Sequence, residues 1–190
     1  MKIQIISSSE FKTFSWSGGY TTEIFIYPPD GNFERRDFLF RVSTAIVQDE
    51  ESVFTKFDHV KRFLSVIKGT IVLEHSGFHK VQLSAYDIDE FLGDWETKCF
   101  GCCTDFNLMI KGENEGSLTS LNINGIGQKI QLKEGCISVF YSFNTDLRFN
   151  GFSVEKNTAI VVSEVEKRDY VNLLGDGIVL VSCVDMRKSR

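Results

Sequence analysis

FTKFDHVKRFLSVIKGTIVL, residues 54–73, carries charged and aromatic side chains straight into an apolar segment with no intervening loop. Phe63, Leu64, Val66 and Ile67, followed by Ile71, Val72 and Leu73, read as two β-strands joined at Lys68-Gly69, a tight turn in which glycine tolerates a positive φ. Side chains alternate between the faces of a strand, so Arg62, Leu64 and Val66 share one face and Lys61, Phe63, Ser65 and Ile67 the other. That alternation turns a guanidinium toward an apolar interior, where it needs an anionic or carbonyl partner. The competing reading is an arginine at the rim, paired with a nearby carboxylate.

Two segments further out repeat this pattern of polar groups on strand faces. In residues 37–47, DFLFRVSTAIV, Arg41, Ser43 and Ala45 lie on one face and Phe40, Val42 and Thr44 on the other. A charge and a hydroxyl therefore look the same way, either into a pocket or from the surface of an edge strand. In residues 104–110, TDFNLMI, Asp105, Asn107 and Met109 oppose Phe106, Leu108 and Ile110, and polar groups in so apolar a strand must be hydrogen-bonded. Trp16 precedes a glycine pair, Gly18-Gly19, with hydroxyls on either side. No lysine and no helix follow, so this is not a phosphate-binding loop; it reads as a turn folding Trp16 over the core or as a lid over a ligand.

The chain has 190 residues, long enough for one large β domain or for two small lobes sharing a core. Seventeen phenylalanines against two prolines supply an aromatic core, and a formal charge of −5 argues against nucleic acid or an anionic membrane as partner. Neither a signal-peptide core nor a run near the ~18 residues needed to span a bilayer occurs, so a cytoplasmic location is expected. The five cysteines, odd in number and on strand-like segments, read as reduced core thiols, Cys99-x-x-Cys102 included. His75 and His79 are four apart but on no helix, and a metal-binding His-x-His plus Glu pattern is missing, so neither metal nor other cofactor is expected. A serine in Ser7-Ser8-Ser9-Glu10-Phe11 can cap a brief helical turn, KGENEGS at 111–117 reads as a hinge, and the charged end at 187–190 reads as frayed. A faint echo, Lys80-Val81-Gln82-Leu83 against Lys129-Ile130-Gln131-Leu132, suggests a duplicated β-lobe.

Trp16 with Gly18-Gly19 and Thr22-Glu23, Phe40 to Ala45, the 54–69 stretch with Arg62, Phe91-x-Gly93-Asp94 and Asp105 to Met109 together resemble the HutD/Ves family, with the blocks in family order over about the first 110 residues. The resemblance implies an all-β bicupin with few short helices: two jelly-roll or barrel-like lobes, residues 1–111 and 112–190, with strands open to exchange between them. It also implies a link, in some bacteria, to histidine utilisation. By the same resemblance a small anionic metabolite would meet Arg41, Ser43, Arg62, Asp105, Asn107 and Trp16. Ser17 and Tyr20 depart from the family's Asn-Gly-Gly-Gly run, which bears on ligand identity.

Three functions follow. The first is binding of a small carboxylate, with Arg62 and Arg41 on the anion and Ser43 orienting it. The second is a metal-independent isomerase or hydrolase with His59 or Asp105 as general base. The third is an interaction module whose exposed sheet edges pair with a regulator or with a second copy as a homodimer.

Overall fold

A computed structural model describes residues 1–189, and they form an all-β protein. The strands of the first part are β1 (Lys2–Ile6), β2 (Lys12–Trp16), β3 (Gly19–Tyr27), β4 (Phe40–Val47), β5 (Glu51–Val53), β6 (Val60–Gly69), β7 (Ile71–His75), β8 (His79–Leu83), β9 (Ile88–Leu92), β10 (Thr97–Phe100) and β11 (Cys103–Lys111). The second part adds β12 (Glu115–Asn124), β13 (Gln128–Gln131), β14 (Cys136–Ser142), β15 (Leu147–Phe149), β16 (Phe152–Val154), β17 (Thr158–Ser163) and β18 (Tyr170–Asp185). Two short 3-10 turns, Ser8–Glu10 and Arg187–Ser189, are the helical elements among the described residues.

The chain divides into two compact units, Phe11–Gly112 and, separately, Met1–Glu10 together with the residues from Glu113 onward. The first ten residues belong with the later segment because β1 pairs antiparallel with β17, Lys2 opposite Ser163 through Ile6 opposite Ala159. Residues 1–10 thus depart from the expected lobe of residues 1–111. In that unit β1, β17, β14, β18, β15 and β16 follow one another across a sheet, with β12 and β13 also paired to the long β18. Its core gathers Ile123, Phe140, Phe149, Ile160, Val171 and Leu173.

The Phe11–Gly112 unit has two sheets, one ordered β2-β3-β4-β11-β6-β9 and the other β5-β10-β7-β8. Leu64 and Val66 pack with Ile71, Leu73, Leu83 and Phe91, and each such side chain taken from water contributes roughly 1.5–3 kcal/mol. The predicted hairpin at Lys68-Gly69 is corrected here. β6 pairs with β11 and β9, whereas β7 pairs with β10 and β8, so Gly69 is a corner where the chain leaves one sheet for the other. The glycine requirement stands for a different reason: φ is +98° and a Cβ would lie 2.6 Å from the Cys102 carbonyl oxygen.

Two further expectations are adjusted. The hinge is shorter than 111–117, because β12 begins at Glu115 and pairs Gly116 with Val184 and Ser117 with Cys183. The terminal segment is a 3-10 turn over Arg187–Ser189, where the Arg187 guanidinium donates to Asp185; Arg190 lies outside the described residues. The brief turn is found at Ser8–Glu10, but it is Glu10 that closes it, with the Ser7 amide and hydroxyl donating to its Oε2 at 2.9 and 3.1 Å.

Candidate functional site

Strand register assembles a polar row on an otherwise apolar floor. Across β4 and β11, Arg41 faces Met109, Ser43 faces Asn107 and Ala45 faces Asp105. On the far side of β11, Met109 faces Arg62, Asn107 faces Leu64 and Asp105 faces Val66; beyond β4, Glu23 faces Ser43. Because opposite residues in a ladder share a face, the alternation read from each strand brings these side chains together. Of these, Glu23, Arg41, Ser43, Ala45, Arg62, Asp105, Asn107 and Met109 line a cavity of about 610 Å³ within the Phe11–Gly112 unit, while Leu64 and Val66 belong to the apolar core beneath. Phe14, Trp16, Phe33, Phe54 and Phe57 supply its aromatic wall.

The six candidate residues Arg41, Ser43, Arg62, Asp105, Asn107 and Trp16 all line this cavity. Arg41 Nε donates to Glu23 Oε2 at 2.8 Å and its Nη1 to Ser43 Oγ at 3.2 Å, while its guanidinium lies 4.0 Å from the Phe33 ring centre. Arg62 Nη2 donates to Asn107 Oδ1 at 3.1 Å, and Asn107 Nδ2 donates to Asp105 Oδ1 at 2.6 Å. The amide thus relays between a guanidinium and a carboxylate. Phe54 and Phe91 lie against the Arg62 guanidinium, 4.7 and 5.1 Å from ring centre to carbon.

Charge compensation is unequal for the two arginines. Arg41, 3 % exposed, has a direct ion pair with Glu23. Among the described residues Arg62 has none, and its buried Nε finds no hydrogen-bond acceptor there. Burial lowers the Arg62 pKa to about 10, opposed by the Asp105 charge and reinforced by Arg41. Burial pushes Asp105 up to about 7, although Arg62, Asn107 and a backbone hydrogen bond with Ala45 all pull it down. For Arg41 burial again dominates and lowers the pKa, with Glu23 opposing.

His59 is not part of this arrangement. It sits exposed at φ +58° just before β6, its carbonyl accepting the Gly112 amide at 2.8 Å, and it does not line the cavity. The left-handed residue ahead of Val60 takes His59 out of the alternation of β6. Trp16, 39 % exposed, ends the edge strand β2, and a Cβ at Gly18 would collide with its ring. The glycine therefore lets the indole lie across the turn beside the cavity. Cys99 and Cys103 are buried, and burial raises both thiols, Cys99 to about 11. Cys102 is exposed, its Sγ donating to the Gln48 carbonyl at 3.1 Å, which corrects its assignment to the core.

Sequence reasoning missed Glu23, the partner of Arg41, and the aromatic wall from Phe33 and Phe54. Glu23 was within reach, since it belongs to the Thr22-Glu23 block that carries the family resemblance, but only the fold shows which arginine it meets: it faces Ser43 across β3 and β4 and from there accepts from Arg41 Nε. It also missed a second cluster, in which His75, His79 and Asp89 lie together.

A profile of the HutD family matches residues 8–181. HutD from Pseudomonas fluorescens SBW25, solved in a formate condition, is 21% identical over 96% of this chain and 98% of that one, with a TM-score of 0.78. The conserved protein of unknown function PA5104 from Pseudomonas aeruginosa PAO1 is 21% identical over 97% and 98%, with a TM-score of 0.80. A vicilin from Solanum melongena, whose structure revealed different anionic ligands in structurally similar pockets, is 9% identical over 95% of this chain and 84% of that one, with a TM-score of 0.64. These likenesses establish a cupin-like all-β fold. No curated protein sequence matches the chain.

Proposed function

The chain belongs to the HutD family, and from that premise we propose that its Phe11–Gly112 unit binds a small metabolite through a carboxylate. The observation that carries this reading is Arg62: a buried guanidinium on the wall of a cavity, held between two phenyl rings, with Nε unpartnered and no carboxylate in direct contact among the described residues. A buried cation of this kind is costly unless an anion completes it. A cavity of about 610 Å³ suits a ligand of metabolite size, and the phenyl and indole walls suit its apolar part. Arg41, already paired with Glu23, orients Ser43 and adds positive potential; Asn107 presents the Arg62 edge.

In this reading the two units are the two cupin lobes of a bicupin, each with its own apolar core. The ligand is a histidine-degradation intermediate, sensed or buffered inside the cell, a place in keeping with five free cysteines. Among the described residues no helix is long and apolar enough to cross a membrane. Calorimetry with urocanate and formylglutamate tests the reading. Binding should weaken at least about tenfold in Arg62→Ala, the loss of one charge-assisted hydrogen bond. Equal affinity in the variant, or no binding of either acid to the native protein, removes the proposal.

One observation favours a second reading. Asp105 combines a pKa of about 7 with a place on the cavity wall beside a cation, the setting of a general base that moves a proton near neutrality. Turnover of a bound acid that disappears in Asp105→Asn while binding persists distinguishes this metal-independent enzyme from a binding protein.

A further inference from the structure

We propose that His75, His79 and Asp89 form a binding site for one divalent transition ion of the zinc, cobalt or nickel type. The hairpin between β7 and β8 sets His75 directly opposite His79, with ring centres 4.5 Å apart. Asp89 arrives from β9, in the other sheet of the same unit, and places one oxygen on each imidazole: Oδ2 is 2.8 Å from His75 Nε2 and Oδ1 is 3.0 Å from His79 Nε2. The three donor atoms all lie within 4.8 Å of one another. Ligand atoms on a tetrahedral ion with bonds of about 2.0–2.1 Å stand roughly 3.3 Å apart, so shifts of a few tenths of an ångström at the carboxylate and an inward turn of His79 admit the ion.

The surroundings suit such an ion. The His75 side chain is fully buried and Asp89 is 11% exposed, whereas His79 at 38% exposure opens the site to solvent, the side from which an ion enters and a water completes its coordination. His75 Nδ1 lies 2.8 Å from Thr97 Oγ1. When the hydroxyl accepts the Nδ1 proton, the Nε2 lone pair is free for the metal, the outer-shell arrangement that fixes ligating histidines. Two imidazoles with one carboxylate favour a borderline ion over magnesium or calcium, which take oxygen ligands. Phe91 and Trp95 pack against His75, so its ring has little room to turn away. An ion here ties the β7-β8 hairpin to β9 and so joins the two sheets of the unit. None of the three ligands lines the arginine cavity, so this site stands or falls independently of the anion.

The alternative is a closed hydrogen-bond network, with both imidazoles donating to Asp89 and no affinity for metal. Zinc titration of the reduced full-length protein by calorimetry, paired with the visible spectrum of the cobalt form, separates the two. The sequence holds three histidines, and His59, the exposed one outside the cluster, supplies the control. The expected result is one equivalent bound, a raised melting temperature, at least tenfold weaker binding in His79→Ala and in Asp89→Asn, and no change in His59→Ala. Because His79 is on the exposed side of the hairpin, its variant keeps the fold, which circular dichroism checks. No binding, unchanged binding in His79→Ala, or a cobalt spectrum dominated by thiolate charge transfer overturns the proposal.

Discussion

Replacing Asp105 by asparagine should uncouple anion binding from pH. The charged side chains lining the cavity are Lys12, Arg41 and Arg62 against Glu23, Glu34 and Asp105, three of each sign. A proton on Asp105 leaves one positive charge in excess, the complement of a carboxylate. It also frees Arg62 from the charge it feels through the Asn107 relay. With Asp105 titrating at about 7, a ligand that binds only the protonated form has its dissociation constant multiplied by one plus ten to the power of pH minus pKa. That factor grows from about 1.1 at pH 6 to about 11 at pH 8, roughly tenfold or about 1.4 kcal/mol. Calorimetry with formylglutamate, whose carboxylates stay ionised over this range, reads the change. Repeating it in buffers of different ionisation enthalpy counts the proton taken up. Asp105→Asn should bind at every pH about as the native protein does at pH 6. Native affinity that is flat between pH 6 and 8, or an equal decline in the variant, refutes the coupling.

The same carboxyl makes stability depend on pH with a definite sign. Its folded pKa lies above the ordinary 3.8, so its stabilising contribution is complete below that value and is lost as pH rises through about 7. The span corresponds to at most about 4 kcal/mol, and urea unfolding should show native stability declining over that window more steeply than in Asp105→Asn. Glu23→Gln leaves the Arg41 guanidinium, 3% exposed, a carbonyl acceptor but removes the carboxylate charge that compensates it at 2.8 Å. A loss of about 3 kcal/mol is expected in denaturant titration, part of it restored by a saturating carboxylate that takes over the charge.

What could be read in advance was what a single strand determines. Alternation in 37–47 and 104–110 places Arg41 with Ser43 and Asp105 with Asn107, and the same rule aligns Arg62 with Leu64 and Val66; the strand register then sets these faces side by side. What escaped depends on pairing between distant strands. Glu23 meets Arg41 through the register of β3 on β4, and Asp89 meets His75 and His79 only because β9 edges one sheet while their hairpin edges the other. Gly69 shows a related limit: a glycine between two apolar runs marks a break in direction, but a hairpin and a corner between sheets demand the same positive φ. His59 illustrates the converse, since nearness in sequence to Arg62 counts for little once a left-handed residue turns the chain just ahead of the strand.

The most direct measurement is a crystal structure of the protein grown with a bromine-labelled small carboxylate. The account predicts anomalous density inside the Phe11–Gly112 cavity, with the carboxylate oxygens in hydrogen-bond contact with Arg62 and the bromine against the aromatic wall. Ordered carboxylate elsewhere, with the Arg62 guanidinium still bonded only to Asn107 at saturating ligand, contradicts it.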